Sequence, residues 1–190
     1  MTYELVVVGC SWGGLHALEV ILAGLPHDFD TPIAIVQHRR ADSDDTMAQL
    51  LQRYTKLDVR EVEDKDPIEP GTVYVGPPDY HVLVDRGQLA LSVDEPVQFA
   101  RPSIDVLFES AASAYGPAAV GVVLTGANAD GAAGLARIKE RGGVAVVQDP
   151  ASSVRRAMPD AALAATAADA VLPLAEIPAF LYGLCGEVAS

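Results

Sequence analysis

Apolar runs of strand length alternate along this chain with longer segments of helical period, and that alternation limits the folds open to it. Residues 4–8 ("ELVVV"), 32–37 ("PIAIVQ"), "AAVGVVLTG", "VAVVQD" and "AVLPL" read as strands rich in β-branched residues, with a short one near 57–62. Between them, residues 14–25 carry Leu15, Leu18, Ile21, Leu22 and Leu25 at helical spacing. A helix is expected over 44–54, with Asp44 and Asp45 at its positive N-terminus. Others are expected after "RPS" with Ser103 as cap, and over 131–141, 159–166 and 176–185. A βαβα order predicts a mostly parallel sheet with right-handed crossovers. The stretch "GTVYVGPPDYHVLVDRGQLALS" breaks the pattern and reads as antiparallel hairpins inserted in it. The expected fold is therefore α/β, a doubly wound and mostly parallel sheet with an inserted antiparallel hairpin region. Residues 1–190 are expected to form one domain.

Composition removes several function classes. No apolar run reaches membrane-spanning length, and "MTYELVVVG" has neither a basic start nor a small-residue cleavage site, so a cytoplasmic protein without membrane insertion is expected. Cys10 and Cys185 lie far apart and in no C-x-x-C pair, which argues against a disulfide framework and against zinc. The net charge of −13 disfavours nucleic acid and anionic membranes, which need a cationic surface.

In open α/β sheets, sites form beyond the carboxyl ends of the strands. Three polar residues fall there. Ser11 sits in Gly9-Cys10-Ser11-Trp12-Gly13, a G-x-S-x-G turn that can hold a hydroxyl in the open. His38 follows "IAIVQ", and Asp130 follows "GVVLTGANA". A hydroxyl, an imidazole and a carboxylate on one rim are the groups of base-assisted nucleophilic attack. Each also has a simpler reading. Ser11 can cap the first helix, His38 can be a solvated histidine beside Arg39 and Arg40, and Asp130 can cap helix 131–141. Cys10 is an alternative nucleophile, although a small residue packed beneath the turn explains it more simply. His16 falls in a helix, His27 in a loop, and His81 in the hairpin region within reach of the rim. The order Ser11, His38, Asp130 differs from the serine, acid, histidine order of α/β-hydrolases.

That order, with its local strings, resembles the catalytic domain of the chemotaxis receptor methylesterases, the CheB family. The G-x-S-x-G-G turn is matched at residues 9–14 and the Q-H pair at Gln37-His38. "RPS-x-D" is matched at 101–105, G-x-x-x-D-G-x-x-G at 126–134 and "MP-x-A" at 158–161; "P-x-D-x-H" resembles 78–81 only loosely. The resemblance implies a serine hydrolase that removes methyl esters from chemoreceptor glutamates, with deamidation of receptor glutamines in some members. It makes Ser11 the nucleophile, His38 the base and Asp130 its orienter, and it implies no metal and no organic cofactor. Methylated chemoreceptor helices are the implied partner.

The departures concern four positions. Trp12 stands where the family has a small hydroxyl residue, and its backbone N–H remains an oxyanion-hole candidate. Ala127 and Asn128 replace a Met and a Gly, with Asn the non-glycine residue best suited to a left-handed turn. Arg39 stands at a usual methionine. Trp12, Ala127, Arg39 and Arg40 are the substrate and oxyanion candidates. Arg39, Arg40, Arg101, Arg155 and Arg156 are expected either to guide an acidic substrate or simply to pair with nearby carboxylates. Most chemotaxis members carry an N-terminal receiver domain, and these residues begin at the catalytic strand, so control by a receiver is not expected within them. The competing readings are a catalytically lapsed binding module and a hydrolase of small esters.

Overall fold

A computed structural model describes residues 2–40 and 46–186. The strand β1 (Leu5–Cys10) is buried along its whole length. Its side chains alternate between two core layers, Val6, Val8 and Cys10 into one and Leu5 and Val7 into the other. A strand covered on both faces carries apolar residues at every position, so its run in the sequence shows no polar alternation.

The elements follow as α1 (Gly14–Gly24), β2 (Ile33–Gln37), α2 (Met47–Leu51), β3 (Asp58–Glu61), β4 (Asp66–Pro67), β5 (Thr72–Val75), β6 (His81–Asp85) and β7 (Gln88–Ser92). Then come α3 (Ile104–Tyr115), β8 (Ala119–Val123), α4 (Ala132–Glu140), β9 (Val144–Gln148), α5 (Ala157–Ala165), β10 (Ala170–Leu172) and α6 (Ile177–Cys185). Seven strands form one sheet in the order β10-β9-β8-β1-β2-β5-β3, every pairing parallel. The chain builds outward from β1 to β2, then crosses back to β8 and builds the other way. The strand order therefore reverses between β1 and β8, which is where open α/β sheets form their crevice.

One face is covered by α1, α2 and α6 through Leu18, Ile21, Leu51, Ile177 and Leu181. The other is covered by α3, α4 and α5 through Leu107, Phe108, Leu135, Ile138 and Met158. The doubly wound arrangement expected from the alternation is the one observed.

The middle of the chain is a partial correction. Only β6 and β7 form an antiparallel hairpin, extended by β4 into a three-stranded sheet. Residues 72–75, expected within the hairpins, instead join the parallel sheet between β2 and β3. "TVYV" is buried at all four positions, so it belongs to the interior sheet and not to a half-solvated ribbon. Of the helix expected over 44–54, Asp44 and Asp45 lie outside the described residues, and helix is found from Met47 with a final 3₁₀ turn over Gln52–Tyr54. No helix among the described residues is long and apolar enough to cross a membrane.

Helices α3 and α4 approach closely because Gly134 has no side chain. A Cβ there would stand 2.5 Å from Phe108 Cβ and 3.1 Å from Asp105 Cα. Gly134→Ala should therefore destabilise the protein by about 1–3 kcal/mol through overpacking. Gly183 in α6 has nothing within 4 Å of such a Cβ, and Gly183→Ala should be neutral or stabilising by up to about 1 kcal/mol. Urea denaturation of the two variants checks both signs.

Candidate active site

The turn after β1 is closed by two backbone bonds, Ser11 N–H to Thr125 O at 3.0 Å and Gly14 N–H to Ser11 O at 2.8 Å. Gly13 completes it at φ 80°, a left-handed conformation that suits glycine. Gly13 is also the position that caps α1, and no side chain bonds to that helix start. Ser11 is thus not the cap of α1. Its hydroxyl, half-buried, makes no hydrogen bond among the described residues. Beneath it Cys10 is wholly buried, and burial pushes its thiol far up. A thiol so held is no nucleophile at neutral pH.

His38 lies beside this turn because β2 runs parallel to β1, and its N–H donates to Cys10 O at 3.1 Å. Its Nε2 stands 2.7 Å from Asp130 Oδ2. Asn128 fixes the ring's protonation. The Asn128 Oδ1 accepts the Asp130 N–H at 3.2 Å, so the amide Nδ2 faces His38 Nδ1, also at 3.2 Å. A donor aimed at Nδ1 requires that nitrogen to be the acceptor, which places the ring proton on Nε2, pointing at Asp130. Asn128 is not among the residues with positive φ. It serves the loop through its amide and not through the left-handed tolerance expected of it.

Asp130 does not cap the helix it precedes. Its oxygens accept from the N–H groups of Ile104 at 2.7 Å and Asp105 at 2.9 Å and from the Ser103 hydroxyl at 2.9 Å. It therefore caps α3. Ser103, expected as that cap, spends its hydroxyl on the Asp130 carboxylate and makes no cap bond itself. Asp105 answers from α3, with Oδ1 accepting the N–H groups of Gly131 at 2.9 Å and Gly134 at 2.7 Å at the start of α4. Its Oδ2 accepts Gln98 Nε2 at 2.7 Å. Burial alone would raise the Asp130 carboxyl, but the bonds from His38, Asp105 and Ile104 hold it below the usual carboxylate range. Burial pushes Asp105 up to about 6, with the Gly134 N–H pulling down and the Asp130 charge pushing further up. Asp130 is thus the carboxylate kept ionised beside the imidazole.

The Trp12 and Ala127 N–H groups donate to no acceptor among the described residues. The Trp12 carbonyl accepts the Thr125 hydroxyl at 2.9 Å, and its indole, 62% exposed, lies under Arg155 with the guanidinium 5.5 Å from the ring centroid. Among the other arginines expected at the rim, Arg39 faces Glu61 with its side chain 7% exposed, Arg101 pairs with Asp79 and Arg156 with Asp160. His81 is buried, its Nδ1 accepting the Ser103 N–H and its Nε2 donating to Glu95 O, so it does not reach the rim. A cavity of about 830 Å³ opens against His38 and Asn128, walled by Arg39, Arg40, Gln98, Phe99 and Arg101. Phe99 stands fully exposed at its edge. A second cavity of about 680 Å³ is lined by Tyr3, Asp30, Tyr115 and Tyr182 and includes none of Ser11, His38 or Asp130. Sequence reasoning missed Ser103, Asp105 and Gln98 as parts of the site. The "RPS-x-D" string pointed to the first two, but nothing local says that they serve a carboxylate 25 residues on.

The family model described as CheB methylesterase matches residues 6–181. A protein of Leptospira interrogans named "Putative protein-glutamate methylesterase/protein-glutamine glutaminase" is 48% identical over 178 residues, covering 93% of this chain and 92% of that one. The protein-glutamate methylesterase FrzG of Myxococcus xanthus is 42% identical over 180 residues, covering 94% of this chain and 54% of its own length. The crystal structure of the Thermotoga maritima CheB methylesterase catalytic domain superposes with a TM-score of 0.91 at 32% identity, covering 97% of this chain and all of that one.

The carboxylate exchange has a signature in stability. The Asp105 carboxyl rises from 3.8 to about 6 on folding, so between those values the native chain holds a proton that the unfolded chain has lost. Its contribution to stability therefore falls as pH rises through that window and is constant above it. Asp130, held low, acts oppositely, and its contribution is lost only as pH falls below the usual carboxylate range. Asp105→Asn should remove the fall between pH 4 and pH 6, whatever the absolute cost of the altered Gln98 contact. Urea denaturation at both pH values, compared with the parent protein, measures it; an unchanged difference would place the titration elsewhere.

Proposed function

The chain belongs to the CheB methylesterase family, and we propose that it hydrolyses γ-glutamyl methyl esters of methylated chemoreceptors through Ser11, His38 and Asp130. The observation that carries the residue roles is the 2.7 Å bond from His38 Nε2 to a fully buried Asp130. It leaves His38 Nδ1 as the nitrogen able to take a proton. In the reaction Ser11 Oγ attacks the ester carbonyl as its proton passes to Nδ1. The carbonyl oxygen becomes an oxyanion, for which the backbone N–H groups of Trp12 and Ala127 are the available donors. Collapse of the tetrahedral intermediate breaks the bond to methoxide, which leaves as methanol with the proton from Nδ1. Water then attacks the acyl-serine with Nδ1 again as base, releasing glutamate and restoring Ser11. Asp130 stays ionised throughout and steadies the imidazolium. With a primary amide the same steps release ammonia, the glutaminase reaction in the names of the relatives.

The intact His38–Asp130 pair weighs against a lapsed binding module. Action on cytoplasmic receptor helices would require a cytoplasmic location. Of the arginines that line the cavity, Arg39 and Arg101 face carboxylates, which weakens a docking role for their charge. Phe99, at the cavity wall, and Trp12, next to Ser11, are both exposed apolar side chains.

Ser11→Ala should abolish methanol release from methylated receptor, while Cys10→Ala should retain most of it. Asp130→Asn should lower kcat by about 10⁴, with the melting temperature followed because one of the two oxygens that cap α3 is replaced by a donor. A loss below about tenfold would reduce Asp130 to a structural role. Activity on a small methyl ester alone, with none on receptor, would favour the small-ester hydrolase.

A further inference from the structure

We propose that Asn128 is a positioning residue that keeps the proton-accepting nitrogen of His38 occupied until substrate displaces it. The inference rests on the Ser11–His38–Asp130 reading given above. A neutral imidazole offers one acceptor nitrogen with a single in-plane lone pair. That lone pair now receives the Asn128 Nδ2–H at 3.2 Å. The Ser11 hydroxyl, which must deliver its proton to the same lone pair, makes no hydrogen bond among the described residues. The two donors compete for one position, so the amide has to leave before Ser11 can be activated.

The amide's direction is not accidental. Its oxygen is tied to the Asp130 N–H at 3.2 Å, which turns the nitrogen toward the ring. The loop that carries the acid thus also carries a donor to the far side of the same imidazole. Asn128 is exposed and lines the 830 Å³ cavity together with His38. A side chain entering that cavity meets both the amide and the base it covers, and solvent is available to the exposed amide once it swings away. In this arrangement the resting ring is held in the productive tautomer, with the proton on Nε2, yet its base nitrogen is masked.

Two substitutions separate this role from a purely structural one. Asn128→Ser retains a short oxygen able to accept from the Asp130 N–H but cannot reach Nδ1. Asn128→Asp also retains that acceptor, but it offers Nδ1 no donor and draws a proton onto it. The readout is the second-order rate at which a small neutral fluorophosphonate labels Ser11 at neutral pH, followed by mass spectrometry. The serine variant should label about fivefold faster than the parent, the equilibrium worth of one ordinary hydrogen bond, and the aspartate variant more slowly than the parent. The nitrogen NMR signal of His38 Nδ1 should shift in both variants while that of Nε2 stays hydrogen-bonded. Equal labelling rates in all three proteins, or slower labelling in the serine variant, would overturn the masking role and leave the triad standing. Labelling of a Ser11→Ala variant at the parent rate would instead sink the triad, and the masking role with it.

Discussion

Two buried carboxylates, each belonging to one helix and serving the other, hold the site together. Asp130 precedes α4 and receives the first N–H groups of α3. Asp105 lies in α3 and receives the first N–H groups of α4. Each negative charge sits at the positive end of the helix it does not belong to. Burying two carboxylates side by side is costly, and each is tolerated only because its lone pairs are filled. The exchange sets the distance between the two helix starts. It also explains two sequence positions that have no chemistry of their own. Gly9 must be bare because a Cβ there would stand 2.2 Å from Ile104 Cγ2, and Gly134 because its Cβ would strike Phe108. The orientation of the histidine ring is a consequence, since Nε2 is drawn to an oxygen that the helix start has already fixed.

The site also resolves an electrostatic tension. The chain carries a net charge of −13, and most of the arginines expected at the rim face carboxylates or, for Arg155, an aromatic ring. Yet α1 and α4 begin at this edge of the sheet, because a helix that follows a parallel strand starts where the strand ends, and α3, which follows the antiparallel β7, has its start tied to Asp130 there. The start of α1 lies beside Ser11 and that of α3 at Asp130. In the proposed reaction the oxyanion would meet the backbone N–H groups of Trp12 and Ala127 and not the average charge of the surface.

The alternating sheet was legible because burial on both faces leaves an unmistakable pattern, and the strand-end rule brought Ser11, His38 and Asp130 to one rim. The residues that failed to show themselves are those whose partners lie far off in sequence. "TVYV" reads as a hairpin strand because its flanking Gly-Pro turn is local, whereas its pairing with β2 and β3 is not. Ser103 occupies a capping position and looks like a cap, but the stronger acceptor arrives from another loop. Asn128 looks like a turn residue, and only its distance to His38 gives its amide a different meaning. The arginines were ambiguous because sequence gives charge without a partner.

His38 and Asp130 are 92 residues apart in the chain and on opposite sides of the strand-order reversal. During synthesis the N-terminal portion leaves the ribosome first. The serine turn and the imidazole are thus made while neither the acid nor the helix start that orients it yet exists. Until β8 docks beside β1, a nascent chain carries a hydroxyl and a histidine without the carboxylate that orients the ring. In the proposed reading, hydrolytic competence comes only with the closure of the sheet.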